Sequence, residues 1–424
     1  MAENKKGFYY GWVVIIATFI TQFVTTGLLI YTFSLFVVPM STMFDAPRTS
    51  ITVASSIYTI MFAVISPIAG AQIAKGRLKP MLFASAILFG GGFIAMSFVN
   101  NIIAFYIVYA LIGLGGALGG PVIGGALPAA WFDKRKGLAV GIVNCGGGIA
   151  AITTTPLIGN VLASSGTSTA FLTIGVIALV LMILAALLIK TKPQDIGLMP
   201  DGLTKEEYDA LPAKERPVSV GLTREQAMKT PALWLISIAL LFLGFGQLGV
   251  MQNAAAYLND IQFDSQIAAT ALGVVGMCGV IGKLFFGWLV DRMDAKIVFC
   301  IGNIMLIVGT LILNFTTQTS TLPWLMGYAV IFGVGVGCWT PCVTVLLGRY
   351  MGMAYFGAIW GVVFGLRTVG DIIGVPGVSA IAGFSSYNIA FWVAIVMLLV
   401  SLVFVLISKK PQAYADMEEQ ARAA

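Results

Sequence analysis

The chain alternates long apolar runs with short polar breaks, and one long polar segment interrupts it near the middle. Apolar sequence begins just after the amino-terminal lysines and continues to about Val38; further runs lie at roughly 50–74, 80–98, 102–128, 137–163 and 167–189. Residues 190–230 are rich in Lys, Glu, Asp and Pro, and six more runs follow at roughly 232–258, 266–290, 296–315, 322–347, 355–383 and 387–407. A bilayer-crossing helix needs roughly 20 apolar residues, and the runs meet that length. Their apolarity is continuous rather than alternating, and backbone groups in hydrocarbon must be satisfied internally, so the runs predict helices and not barrel strands. The first run is too long for a signal-peptide core and lacks a clear cleavage site, which predicts a retained first span. The pattern therefore predicts an all-α polytopic membrane protein with 12 transmembrane helices: a six-helix bundle over 1–189, a cytoplasmic linker over 190–230, a second six-helix bundle over 231–408 and a tail over 409–424. Within the linker a short helix is expected around Lys205 to Ala213, and the remainder reads as a solvated connection of nearly balanced charge.

Composition narrows the function classes. Charged residues make up only 10% of the chain and histidine is absent, which removes the commonest metal ligand and the usual acid/base at neutral pH. No metal, no cofactor and no enzymatic activity are expected. Nothing resembles a nucleotide-binding loop, which disfavours ATP-driven transport. All five cysteines, Cys145, Cys278, Cys300, Cys338 and Cys342, fall inside apolar runs and read as small packing residues.

The basic residues are distributed unevenly. Lys5 and Lys6, Lys75, Arg77 and Lys79, Lys134 to Lys136, the central segment, Arg292 and Lys296, Arg349, and Lys409 and Lys410 all fall on one side of a twelve-span topology. The other side carries Arg48 with Asp45, Asp260 and Asp264. This asymmetry places both termini and the central loop in the cytoplasm of a multi-pass plasma (inner) membrane protein. Short basic loops report orientation and contact with anionic lipid, and no nucleic acid partner is expected.

The two halves repeat one another. Gly70 to Lys75 after span 2 matches Gly287 to Arg292 after span 8, and spans 5 and 11 align Gly137 with Gly357, Gly141 with Gly361 and Pro156 with Pro376. Related halves around a midplane site are a recurring transporter plan. Rows such as Gly357, Gly361 and Gly365 suit close helix approach.

The six-plus-six plan, the long central loop and the short basic loop between spans 2 and 3 resemble the major facilitator superfamily. More narrowly, WFDKRKGLAVGIVNCG from Trp131 to Gly146 resembles the span 5 signature of monocarboxylate transporters, and GFYYGW from Gly7 to Trp12 resembles their span 1 signature. Lys6 departs from that pattern, standing where the family usually has an acid, and Ala74 replaces the usual aspartate after span 2. The resemblance implies alternating access, a small organic carboxylate as substrate, and protons or a counter-anion as coupled species. The expected assembly state is a monomer.

Two cations lie inside apolar spans. Lys283 precedes Asp291, at the cytoplasmic end of span 8, by about two helical turns, which puts it roughly 10 Å or more inside the span. An intramembrane ion is a functional candidate, against the alternative of a lysine snorkelling to the interface. Arg367 lies near the middle of span 11 with Asp371 one turn later, a spacing that allows an ion pair. Such a pair is either structural or a switch in which substrate takes the arginine while the carboxylate takes a proton. The monocarboxylate resemblance implies a substrate-binding role for Lys283. A likeness to the oxalate/formate antiporters, with one base on span 8 and one on span 11, implies the same for Arg367. The repeat puts Ser66 and Gly147 at the corresponding positions of the first half, so charge is confined to the second.

Tyr31, Asn253, Tyr257, Tyr328, Trp360 and Phe364 are expected to wall the cavity, with ordinary aromatic packing as the alternative. Lys75, Arg77, Asp133, Arg135, Asp291 and Arg292 are expected to form cytoplasmic gate and loop contacts. Competing functions are a proton-driven exporter of other small molecules, which would need more buried acids than Asp371, and a transporter-like sensor without flux.

Overall fold

A computed structural model describes residues 9–210 and 220–423. Among the described residues eleven helices are long and apolar enough to cross a membrane. The longest, Lys136–Leu188, is broken at Gly166, whose positive φ of 81° no helix interior allows. It therefore supplies two spans, 136–165 and 167–188, and the chain crosses twelve times, as its apolar pattern predicts.

Span 1 differs from expectation in length and winding. It runs as Gly11–Gln22, a π-helical stretch Phe23–Tyr31, and Phe33–Met43. Thr18, Thr21, Thr25 and Thr32 each turn a hydroxyl back onto a carbonyl one turn earlier. Span 2 is Arg48–Ala74 and span 3 is Leu78–Met96. Span 4 breaks at Gly120 into Ile102–Gly119 and Pro121–Trp131. In the second half, spans 7, 8 and 9 are Pro231–Asp260, Ser265–Val290 and Ala295–Asn314. Span 10 breaks in the same manner as span 4, into Leu322–Val336 and Trp339–Met351, and spans 11 and 12 are Phe356–Phe384 and Tyr387–Ile407.

Lipid is as apolar as leucine, so packing and close approach, not a hydrophobic drive, hold membrane helices together. Span 2 packs on span 11, and span 5 on span 8, and these two seams join the halves. The seams are built alike. A methyl group on Gly70 would lie 2.1 Å from the Gly357 carbonyl oxygen, and one on Gly137 would lie 2.5 Å from that of Gly287. One turn deeper, methyls on Gly361 and Gly141 would each lie 2.4 Å from the carbonyl oxygens of Ser66 and Lys283 respectively. A turn further, Gly365 meets the Ala63 carbonyl and the Cys145 thiol meets that of Val280. The internal repeat thus pairs these contacts rung by rung.

Both seams close toward the end that carries the basic loops and both termini. Toward the opposite end the seam between spans 5 and 8 parts: a methyl group on Gly273 or Gly276 of span 8 would meet nothing within 4 Å, and Ile152 of span 5 is more than half exposed. The basic end is closed in this conformation.

The linker, expected as a solvated connection and largely exposed along residues 192–197, touches the bundles at two places among its described residues. Asp201 accepts hydrogen bonds from the amides of Asp133 (3.2 Å) and Lys134 (3.0 Å) in the loop before span 5. At its other end Gly221 bridges Gly352, and Leu222 donates to Met351 O at 2.9 Å in the loop before span 11. The short helix forms over Lys205–Asp209 behind a Thr204 and Glu207 capping box; residues 211–213 of the expected helix lie outside the described residues. Packing is cheaper here than hydration because each loop presents amides that a helix start cannot satisfy.

A valine at Gly361 has no room against Ser66 without parting span 2 from span 11. Gly361→Val is expected to raise amide exchange along 63–75 and 354–362 about tenfold or more, the effect of losing roughly 1.4 kcal/mol of seam stability. Unchanged exchange in a folded variant would show that this contact does not hold the seam.

Candidate functional site

Different surroundings fix Lys283 and Arg367. Lys283 stands where span 8 touches span 5, because Gly141 lets its backbone approach. Its ammonium crosses the seam and donates to Asn144 O at 2.9 Å. The ammonium has three donors and this one protein acceptor among the described residues, so two donors remain for an anion or water. The side chain is half-buried.

Arg367 is almost fully buried, at 4% exposure. It pairs with Asp371 one turn along span 11, and Nη2 donates to the side-chain oxygen of Gln247 on span 7 at 2.9 Å. Its guanidinium lies 5.1 Å from the Trp339 ring of span 10, and its Nε has no partner. Gln247 is itself oriented by donating to Val336 O at 3.2 Å, beside the break in span 10. The Asp371 side chain keeps 21% of its exposure, while the Arg367 side chain that it holds keeps 5%. The guanidinium is thus shared between an acid on its own helix and an amide on span 7, two charge-assisted contacts that steady it.

No described protein group bridges the two cations. Lys283 is held from span 5, and Arg367 from spans 7, 10 and 11. The backbones do converge: Gly337, two residues before Trp339, packs directly on the Gly282–Lys283 peptide.

The neutral residues divide. Tyr31, at the end of the π-helical stretch, is 36% exposed. Phe364 is half-buried and leans on Trp339, with ring centres 6.2 Å apart. The others face no open space in this conformation. Asn253 donates to Gly249 O and Val375 O and ties span 7 to span 11. Tyr257 is packed against Phe391 and donates to Thr316 O at 2.7 Å. Tyr328 is fully buried against Phe332, its hydroxyl without a partner. Trp360 stacks between Trp339 and Phe356 and fits against Gly125 of span 4, where it plugs the seam between the halves. Gln247, Trp339 and Asn144 were not anticipated from the sequence. Gln247 alone left a signal, an amide in the otherwise apolar run LLFLGFGQLGVM.

At the basic end Asp291 closes span 8 onto span 5. Its carboxylate accepts from the amides of Gly137 (2.6 Å) and Leu138 (2.9 Å), two of the unsatisfied donors at the start of span 5. Burial pushes the Asp291 carboxyl above the usual carboxylate range, and the two amides and nearby Lys136 and Arg292 pull it back in part. Asp133 pairs with Lys136 at 3.1 Å. Arg292 stacks on Trp288 at 4.2 Å. Lys75, Arg77 and Arg135 are exposed and form no ion pair among the described residues. The contact expected at this end thus comes from an acid capping a helix rather than from acid–base pairs.

These features define a polytopic helical membrane protein whose two repeated halves close against each other at one end and hold buried charge between them. The chain belongs to the Major Facilitator Superfamily, whose family model matches residues 14–374 and, overlapping, 254–423. It is a transporter of that superfamily. Over 398 residues it is 24% identical to monocarboxylate transporter 12 of Xenopus laevis, covering 89% of this chain and 85% of that one. It is 23% identical to the oxalate:formate antiporter of Oxalobacter formigenes over 283 residues, 65% of this chain and 63% of that one. Among solved structures it resembles the proton:xylose symporter XylE, with a TM-score of 0.74 at 14% identity over 94% of this chain and 95% of that one.

Removing the Asp291 carboxylate leaves two span 5 amides unpaired in a half-buried seam, at about 1–3 kcal/mol each. Asp291→Ala is therefore expected to speed exchange of the Gly137 and Leu138 amides at least about tenfold while amides in span 3 are unaffected. Equal exchange in both proteins would mean that the cap does not hold the gate.

Proposed function

We propose that this transporter carries small organic carboxylate anions by proton symport or anion exchange, its two bundles, 1–189 and 231–408, rocking to give alternating access. The protein sits in the plasma (inner) membrane with both termini cytoplasmic, so the present conformation is closed to the cytoplasm. The observation that carries the reading is Arg367, a buried guanidinium with a spare donor, paired to an accessible acid and steadied by Gln247. A guanidinium offers a carboxylate two parallel donors, which an ammonium does not.

The exchange of partners follows from the geometry. A substrate carboxylate reaching Arg367 competes with Asp371, and the released Asp371 lies in a poorly hydrated site where a proton neutralises it. Substrate and proton then travel together, and on return Asp371 ionises and re-pairs. If a second anion replaces the first before the proton leaves, the same site performs exchange. Lys283 contributes the second positive charge. A substrate reaching it replaces Asn144 O as acceptor and loosens the seam between spans 5 and 8, which links occupancy to rocking. Two cations suit a dianion, or a monoanion while Asp371 stays charged. Tyr31 and Phe364 wall the site. The names of the similar proteins, a monocarboxylate transporter and an oxalate:formate antiporter, support the substrate class.

A thermal-shift screen across mono- and dicarboxylates identifies the ligand, since binding to the folded state raises its melting point by mass action. In proteoliposomes, Arg367→Ala and Lys283→Ala are each expected to weaken binding at least about thirtyfold, the loss of roughly 2 kcal/mol for a charge-assisted contact. Normal uptake in either folded variant removes that residue from the site. Asp371→Asn is expected to abolish accumulation driven by an acid exterior while sparing exchange. Undiminished acid-driven accumulation would remove the proton role.

A further inference from the structure

At the closed end a hollow of about 340 Å³ straddles the seam, lined by Lys134, Arg135 and Leu138 at the start of span 5 and by Trp288, Asp291 and Arg292 at the end of span 8. Three cations face it, and the acids nearby are committed elsewhere. Asp133 pairs with Lys136, Asp201 accepts the amides of Asp133 and Lys134, and both oxygens of Asp291 are taken by Gly137 and Leu138. The side-chain cations of Lys134, Arg135 and Arg292 form no ion pair among the described residues. The conformation that builds this hollow therefore draws like charges from the two halves together.

We propose that the hollow binds the phosphate headgroup of an anionic glycerophospholipid and that the lipid locks the basic end closed. A phosphate placed there meets cations from both halves, so it bridges the seam and fits only when the seam is shut. The amphiphile is chosen by the face of span 8 that leads into the hollow. Ile281, Leu284, Phe285 and Trp288 lie on one side of the helix at 40–57% exposure, and Arg292 follows one turn later. That face reads acyl chain, then interfacial aromatic, then headgroup charge, the order of a lipid leaflet from inside to outside. A free phosphate offers the same anion without a use for the apolar stripe. A ligand that binds only the closed form shifts the population toward it in proportion to that difference in affinity. Membrane composition would then set how readily this end opens. The inference stands apart from the identity of the transported substrate.

The test is hydrogen exchange of the full-length protein in a neutral detergent, read over 132–142 and 284–294. The additions are phosphatidylglycerol, phosphatidylcholine of the same chain length, or inorganic phosphate at equal concentration. At ten times its dissociation constant, phosphatidylglycerol should slow exchange of the Gly137 and Leu138 amides about tenfold, the mass-action limit for a closed-state ligand. Phosphatidylcholine should leave them unchanged. The response should vanish in Arg135→Gln/Arg292→Gln and persist in Arg135→Lys/Arg292→Lys, which keeps the charge. Should the neutral double variant fail to fold, Arg292→Gln alone carries the comparison. Equal protection by phosphatidylcholine, or a full response without the arginine charges, overturns the site. Equal protection by inorganic phosphate overturns the lipid.

Discussion

The contact on which the rest of the molecule depends is backbone against backbone at the two seams. Inside a bilayer, association gains little from burying apolar surface, and helices adhere where their main chains come close enough for dispersion and weak Cα–H to carbonyl contacts to accumulate. Gly141 against Lys283 O, and Gly361 against Ser66 O, permit that approach in the two halves. The same contact brings a lysine backbone onto the opposing half and leaves its ammonium nowhere to reach but across the seam, to Asn144 O. The seam therefore places an intramembrane cation as well as holding the conformation.

The two seams share a frame and differ in polar content. Around its glycines span 2 meets span 11 through uncharged residues, Ala63, Ser66, Pro67, Gly70 and Ile73 against Gly357, Gly361 and Gly365, and Ser66 spends its hydroxyl on the Phe62 carbonyl one turn back. Span 5 meets span 8 through the same rungs but adds Lys283 in the middle and Asp291 at the end. Ala74 stands where the first half would carry the counterpart of Asp291. One seam thus carries no charge along these rungs, while the other carries a cation at the membrane middle and an acid at the loop surface. A hinge that is plain on one side and charge-responsive on the other is a physical route by which ligand binding biases rocking in one direction.

Arg367 shows how an expensive group is kept in a membrane. Its charge is divided among Asp371, the Gln247 amide and the face of Trp339, so no single contact bears the whole cost of desolvation. Only one of these partners is on its own helix one turn away, which is why only Asp371 was visible from spacing. Gln247 lies 120 positions from Arg367 in the chain, and Trp339 reads as one more interfacial aromatic until the break in span 10 turns it inward.

The sequence by itself determined the number of crossings, their all-helical nature, the repeat that pairs the seams rung by rung, the two buried cations and the Arg367–Asp371 spacing. These properties are local, or recur at fixed intervals, and the bilayer forces them because every span must satisfy its own backbone and each ion must be justified. What only the tertiary structure decided was the company those residues keep. Whether Tyr31 keeps a third of its surface exposed while Tyr328 is sealed in a core depends on how the helices rotate against one another. So does the docking of a linker whose composition reads as solvated, since Asp201 meets the loop before span 5 only after six spans have packed. Rotation and docking are set by contacts between residues far apart in the chain, and neither apolar periodicity nor charge carries a record of them.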